Sequence, residues 1–229
     1  MHLLGIETAT RRLSVALWQD GRCVSRAGDH PNGGSQNLLP WIHELLDLGG
    51  IRPADLNGIA FGAGPGSFTG LRLACGIAQG LGWGLNIPLL AVSTLEALAL
   101  ASGRSRAWTC LDARMNEVYC AGYAIAGDQV TELMVPVCAA PAVVPAPTFE
   151  QAWGVGDGFA TYGELLCARA PGLLGVQPDA TPTAEAVLRI AAPRFAAGLA
   201  VDFAAAQPIY VRDKVALTTA ERLARGGAK

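Results

Sequence analysis

The sequence predicts an α/β protein built as two lobes of one design. Three observations carry that prediction. Strand-like runs mix with helix-like runs along the 229 residues, which is the pattern of layered α/β folds. A three-strand meander begins twice, and each time its first strand ends in an acid, first Glu7 and later Asp112. The chain is 51% hydrophobic and only 16% charged, where an average soluble domain has roughly 25% charged residues. That apolar surplus needs either a large core or a surface that is normally covered.

The elements follow in order. Leu3 to Ile6 reads as a buried strand ending at Glu7-Thr8. Leu13 to Trp18 alternates as a second strand, and Asp20-Gly21 is a hairpin turn leading into a third, Arg22 to Ala27. Ser35 is suited to cap a helix whose apolar residues (Leu38, Leu39, Ile42, Leu45, Leu46, Leu48) recur at helical spacing until Gly49-Gly50 stops it. Gly58 to Phe61 is a short strand, followed by a turn over Gly62 to Gly66 and a helix from about Ser67 to Leu85. Leu89 to Val92 is a strand, and Ser93-Thr94-Leu95-Glu96 has the spacing of a capping box that opens another helix. Strands are then expected over Ala107 to Leu111, Glu117 to Ala124 and Val130 to Val135, with a turn at Gly127-Asp128. Pro136 to Pro147 reads as a loop, Trp153 to Val155 as a short strand before Gly156-Asp157-Gly158, and Ala184 to Ala197 as a helix. Ile209 to Val211 is expected to be extended, and the tail from Arg225 to be frayed. The lobes are expected at 1–105 and 106–229, with the final segment packing back on the first lobe. Three antiparallel strands followed by helix–strand units resemble the ribonuclease-H-like half of the actin and sugar-kinase superfamily.

Composition excludes several functions. High apolar content and low charge exclude disorder. Lys plus Arg total 17 and Asp plus Glu 19, a net charge of −2, so a solitary, strongly basic nucleic-acid binder is not expected. No apolar run approaches the roughly 18 residues that span a bilayer. The N-terminus lacks signal-peptide order, because Arg11-Arg12 follow the apolar run rather than precede it. Cys23, Cys75, Cys110, Cys120, Cys138 and Cys167 contain no CxxC pair and sit among apolar neighbours. They are expected to be buried thiols in a reducing cytosol. His2, His30 and His43 show no metal-ligand spacing, so no metal site is expected. The five tryptophans are scattered and read as core or lobe-edge residues.

The segment Gly62-Ala63-Gly64-Pro65-Gly66-Ser67-Phe68-Thr69-Gly70 has two physical readings. Entering a helix N-terminus through glycines favours an anion. Against that, no Walker lysine follows, Pro65 removes a donor, and neither G-x-G-x-x-G nor G-x-S-x-G spacing is met. The alternative is a tight strand-to-helix turn with Ser67 as cap. Glu7 is either an acid directed at phosphate or metal, or simply an acid at a strand end. Any nucleotide or anion contacts would come from Glu7, Thr8, Gly64, Gly66 and Ser67. Asp112 and Arg114 read as an ion pair shaping a turn. In the helix that follows, Gly70, Ala74 and Ala78 share one line, and Gly76, Gly80 and Gly84 share another. Such lines serve either packing on the chain's own sheet or docking of a partner helix.

Five stretches together resemble the bacterial TsaB (YeaZ) family: Ile6-Glu7-Thr8-Ala9-Thr10, Gly64 to Arg72 (GPGSFTGLR), Val92 to Leu98 (VSTLEAL), Asp112 to Tyr119 (DARMNEVY) and Pro208 to Arg212 (PIYVR). The resemblance is strong to about Tyr123, weak to Gln207, and returns at Pro208. It implies two actin-like lobes and a role in making threonylcarbamoyladenosine beside the anticodon of tRNAs. It also implies pairing with a larger paralogue, TsaD, which carries the transfer chemistry, and work with an ATPase, TsaE. A metal-binding His-x-x-x-His of the paralogue aligns with Thr94 and Leu98, which cannot replace two imidazoles. The resemblance therefore implies a cytoplasmic, non-catalytic subunit that requires no cofactor of its own, with ATP or ADP at the junction with TsaD. It would reach tRNA only through the complex and form a homodimer when alone. Glu7 departs from the Asp usual in the family, which weakens the case for a nucleotide contact there. No nucleophile–base pair or metal site supports a protease. The partner face is expected on Leu38, Ile42, Leu45, Gly70, Leu73, Ala74, Ile77 and Gly80. The rival reading is a small actin-like ATPase or kinase acting alone.

Overall fold

The computed structural model describes residues 1–29 and 34–212, so His30 and the tail expected to fray lie outside the described residues. In the first lobe, β1 (His2–Glu7), β2 (Arg12–Gln19) and β3 (Arg22–Asp29) form the expected meander. They are followed by α1 (Ser35–Gly49), β4 (Gly58–Gly64), α2 (Phe68–Leu85), β5 (Leu89–Ser93) and α3 (Thr94–Ala101). The sheet order is β3-β2-β1-β4-β5, antiparallel through β1–β3 and parallel across β1, β4 and β5. In the second lobe, β6 (Arg106–Arg114), β7 (Glu117–Ala126), β8 (Gln129–Ala139), β9 (Trp153–Val155), α4 (Gly158–Arg169) and β10 (Gly175–Gln177) form a sheet of order β10-β9-β6-β7-β8. Read from the other edge, that order matches the first sheet strand for strand. The chain is two ribonuclease-H-like lobes of the actin-like superfamily.

Local chemistry explains most boundaries. Asp20 and Gly21 both have positive φ, 48° and 93°, as a two-residue hairpin that follows the strand twist requires. β1 is the central strand and is buried on both faces. Leu4 and Ile6 join the core under α1 and α2, whereas Leu3 faces α5 (Ala184–Ala196). In α1 the N-cap is Gly34 in a left-handed conformation, and Ser35 is the first helical residue rather than the cap. Strand β4 runs on to Gly64, so the turn before α2 is shorter than expected, and Ser67 caps α2 by accepting from the Gly70 amide. The capping box at Ser93 does not form: Ser93 sits at the N-cap with no side-chain cap bond, and Glu96 instead pairs with Arg194 on α5.

Three expectations in the second half are corrected. β8 continues through Pro136 to Ala139, which an edge strand tolerates because no neighbour needs the missing N–H. Helix α4 and strand β10 were not foreseen. α4 buries little beyond Gly158, Phe159 and Leu166 and is kinked at Tyr162, so its apolar periodicity is faint. β10 is three residues long, too short to show alternation.

The last helix of each half covers the other half's sheet. α5 lies on the back of the first sheet, where Val187, Leu188 and Ala191 pack with Leu3, Ala16 and Ala60. The α5 amide of Ala184 donates to Ser14 Oγ, 2.9 Å away, on β2. α3 does the reverse, placing Leu95, Leu98 and Ala99 against Leu111, Tyr119 and Tyr123 of the second sheet. Far from α3, the second sheet closes with Trp108 edge-on to Phe159 of α4. The six cysteines are free thiols. Cys75, Cys110 and Cys120 are buried, Cys23 and Cys138 partly so, and Cys167 is exposed, against expectation. Of the two roles expected for the tryptophans, core or lobe edge, Trp83 does not take the core one, being 73% exposed on α2. Among the described residues no helix is long and apolar enough to cross a membrane.

Candidate functional site

A cleft of about 620 Å³ lies between the lobes. The first lobe contributes the β1–β2 turn over Thr8–Arg11 and the start of α2 over Pro65–Leu71. The second contributes Leu111–Met115 and Asp157, and Ile209–Arg212 runs along one side. Thus both ends of the echo, the turn after β1 and the turn after β6, face each other across one space.

The five residues expected to meet a nucleotide or anion are largely committed within the first lobe. Glu7 is fully buried and is not part of the cleft wall. Its Oε1 accepts from the Ala9 amide at 2.7 Å, while Oε2 has no hydrogen-bond partner among the described residues and lies against Gly62 of β4. Loss of hydration pushes its pKa up to about 7, against the pull of the Ala9 and Thr8 amides. Thr8 Oγ1 donates to the Gly70 carbonyl at 2.6 Å. The Gly64 amide donates to Thr94 Oγ1 at 3.1 Å. The Ser67 amide donates to the Ala9 carbonyl at 2.8 Å. A Cβ on Gly66 would strike the Ala9 carbonyl, and one on Gly70 would overlap the Thr8 carbonyl oxygen. The glycines of this turn let two backbones touch, which is the tight-turn reading of the sequence.

On the second lobe, Asp112 accepts from the Arg114 amide at 2.8 Å and pairs with its guanidinium at 2.9 Å, the turn-shaping ion pair expected from the spacing. Arg114, Met115 and Asn116 all have φ near +60° (60°, 54° and 61°). Three consecutive side-chain-bearing residues in that region are costly for L-amino acids. Asp157 Oδ1 accepts from the Asp112 amide at 2.9 Å, and burial raises the pKa of its carboxyl. Sequence reasoning gave Asp157 no such part. Its position between two glycines after a strand, mirroring Gly64-Pro65-Gly66, was the available signal.

The expected partner face divides. Leu38, Ile42 and Leu45 of α1 sit in the first lobe's own core, because they are the stripe that α1 presents to β2. Gly70 and Ala74 are also buried, and Leu73 and Ile77 pack against that same core. Leu38, Ile42, Leu45, Gly70 and Ala74 are thus corrected from surface to core, while Leu73 and Ile77 stay partly exposed at its edge. Gly80 is different: with Gly76 and Gly84 it is exposed, and a Cβ at any of the three would meet nothing within 4 Å. So Gly70, Ala74 and Ala78 serve the chain's own sheet, while Gly76, Gly80 and Gly84 line an open face. Trp83 and Phe68 on α2 and Leu39 and Leu48 on α1, the last two 56% and 64% exposed, are the bulky apolar groups that face solvent on these helices.

A family model described as TsaD, tRNA N6-adenosine threonylcarbamoyltransferase, matches residues 33–219. The Escherichia coli (strain K12) protein described as tRNA threonylcarbamoyladenosine biosynthesis protein TsaB is 36% identical to this chain, covering 94% of this chain and 96% of that one. This chain belongs to the TsaB (YeaZ) family. The TsaB protein of Haemophilus influenzae is 30% identical, covering 93% of this chain and 94% of its own length. A solved structure of YeaZ from Pseudomonas aeruginosa superposes with a TM-score of 0.84 at 35% identity, covering 91% of this chain and 99% of that one. In this TsaB-family chain, the two positions that resemblance aligns with paralogue histidines are structural. Thr94 is buried and holds the end of β4, and Leu98 is buried against Gly156 at the start of the second-lobe turn.

Proposed function

We propose that this chain is a non-catalytic subunit required for making threonylcarbamoyladenosine in tRNA, and that it stabilises and positions the TsaD transferase in concert with the ATPase TsaE. The observation that carries the reading is the open α2 face: three exposed glycines at four-residue spacing, flanked by Trp83, with exposed Leu39 and Leu48 on α1. Glycine inside an exposed helix costs about 1 kcal/mol relative to alanine, so three in register call for a compensating contact. A partner helix brought close to that backbone supplies it. TsaD is the partner of choice, because the TsaB-family resemblance, borne by a relative 36% identical over 94% of this chain, implies pairing with it. The same face would pair two copies when TsaD is absent, and tRNA would be reached only through the complex.

Arginine placed at Gly80 fills the open face without touching the core. Calorimetry with TsaD is expected to show markedly weaker binding for Gly80→Arg with no loss of monomer stability, and unchanged affinity would refute this face. Reconstitution of the modification with each component omitted in turn tests the role itself. Product formed without this chain would overturn it.

The cleft supports a second reading, with ATP or ADP held at the junction with TsaD. Here the chain would supply a space of about 620 Å³ with Arg11 and Arg114 on opposite walls. Magnesium-dependent ATP turnover by the isolated chain would instead favour a small actin-like ATPase.

A further inference from the structure

The chain after α5 touches both lobes. It first runs antiparallel to the edge of the first sheet, where Leu89 and Val201 exchange two backbone hydrogen bonds of 2.9 and 2.8 Å. The Ala206 carbonyl then accepts from Gln79 Nε2 of α2 at 3.0 Å, and the Ile209 amide donates to the Ala63 carbonyl of β4 at 2.7 Å. At Tyr210 the ring lies 6.4 Å from that of Phe68, the first residue of α2. Two residues later the contacts belong to the other lobe. Arg212 Nη2 donates to the Ala113 carbonyl at 2.9 Å and to Glu117 Oε2 at 2.6 Å. Its guanidinium also lies 5.6 Å from the centre of the Tyr119 ring. Its side chain is 15% exposed, although arginine is seldom so covered without a partner.

We propose that residues 201–212 are a clasp between the lobes, with Arg212 as its catch. The catch grips the turn of three left-handed residues, where an outside donor offsets part of the backbone cost. Hydrogen bonds to a charged group are among the stronger ones available, and here one guanidinium satisfies a carbonyl and a carboxylate together. The other end is held by the backbone bonds of Val201 and Ile209, with Gln79 adding a side-chain bond to Ala206. The exchanged helices α3 and α5 hold the lobes together at the back, so what depends on Arg212 is the grip of this segment along the side of the cleft.

Hydrogen–deuterium exchange at residue resolution tests this on the isolated full chain. Arg212→Ala is expected to speed exchange about tenfold at the Ile209 amide, which lies on the first lobe, as well as in the turn over 113–117. Arg212→Lys is expected to rescue part of the protection. Arg106→Ala removes a guanidinium that bonds the Glu150 carbonyl elsewhere on the second lobe, and should leave Ile209 unchanged. Faster exchange confined to 113–117, or no change in Arg212→Ala, overturns the clasp. If Arg212→Ala also loses protection at Leu4 and Ile59, the variant has unfolded. Glu117→Gln, which keeps the side-chain shape, then decides by the same Ile209 readout. No partner protein enters the measurement, so its outcome is separate from that of the docking face.

Discussion

Glu7 is a carboxyl with one bonded oxygen and one bare oxygen beneath the end of the central strand. Its folded pKa, about 7, lies above the unfolded value of 4.5. Below pH 4.5 it is protonated in both states and contributes nothing to pH dependence. Between 4.5 and 7 the unfolded chain gives up the proton while the folded chain keeps it, so stability falls as pH rises. Above 7 the loss is complete, at roughly 3 kcal/mol. Urea unfolding at pH 5 and pH 8 should show that loss in the natural chain and a much smaller one in Glu7→Gln. An unchanged pH difference in the variant would mean that the carboxyl ionises freely where it sits. Two glycines of α2 make a second test at this scale. Gly70→Ala should lower stability by roughly 2 kcal/mol or more, because the new methyl overlaps the Thr8 carbonyl. Gly80→Ala should raise it by up to about 1 kcal/mol, because its methyl meets nothing and alanine favours the helix. Thermal melts of the two variants should shift in opposite directions.

At the scale of elements, Glu96 shows how tertiary contacts override a local signal. Its spacing from Ser93 suits a capping box, yet its carboxylate leaves the helix end and pairs with Arg194 of α5, joining the last helices of the two halves. Arg194→Ala should cost on the order of 2 kcal/mol. Leaving a buried acid unpaired costs about 3–5 kcal/mol, and Arg194 is itself a third exposed. Changing both residues to leucine should recover most of that loss in urea titrations; no recovery would place the cost in packing rather than charge. The strands and helices of the first lobe were legible because each carries its own signal: alternation in β2, heptad-like leucines in α1, turn glycines at both ends. α4 and β10 were not, since one is kinked with few buried residues and the other is three residues long. The cleft was legible only in outline. The sequence places Glu7 and the glycine turn near each other, but which atoms are already spoken for depends on how closely two backbones approach. The same limit applies to α1, where periodicity identifies the apolar stripe without saying that the chain's own sheet covers it.

For the whole molecule, the apolar surplus divides between two uses. Most of it fills the cores on either side of the two sheets, including the leucines first assigned to a partner. The remainder is spread over exposed groups in both lobes, with Trp83, Leu39 and Leu48 among the most exposed. Leu48→Asp should therefore weaken association with TsaD in sedimentation experiments and leave the thermal midpoint of the monomer unchanged. A fall in midpoint would assign Leu48 to the fold instead.

The exchange of helices between halves has a consequence for synthesis on the ribosome. The back of the first sheet is complete in sequence by Ser93, but the helix that covers it begins at Ala184. Chain growth at about 5–20 residues per second leaves that face bare for roughly 5–20 seconds in every round of translation. A nascent chain stalled before α5 should therefore remain protease-sensitive and bind chaperones, and it should become resistant once α5 has left the exit tunnel.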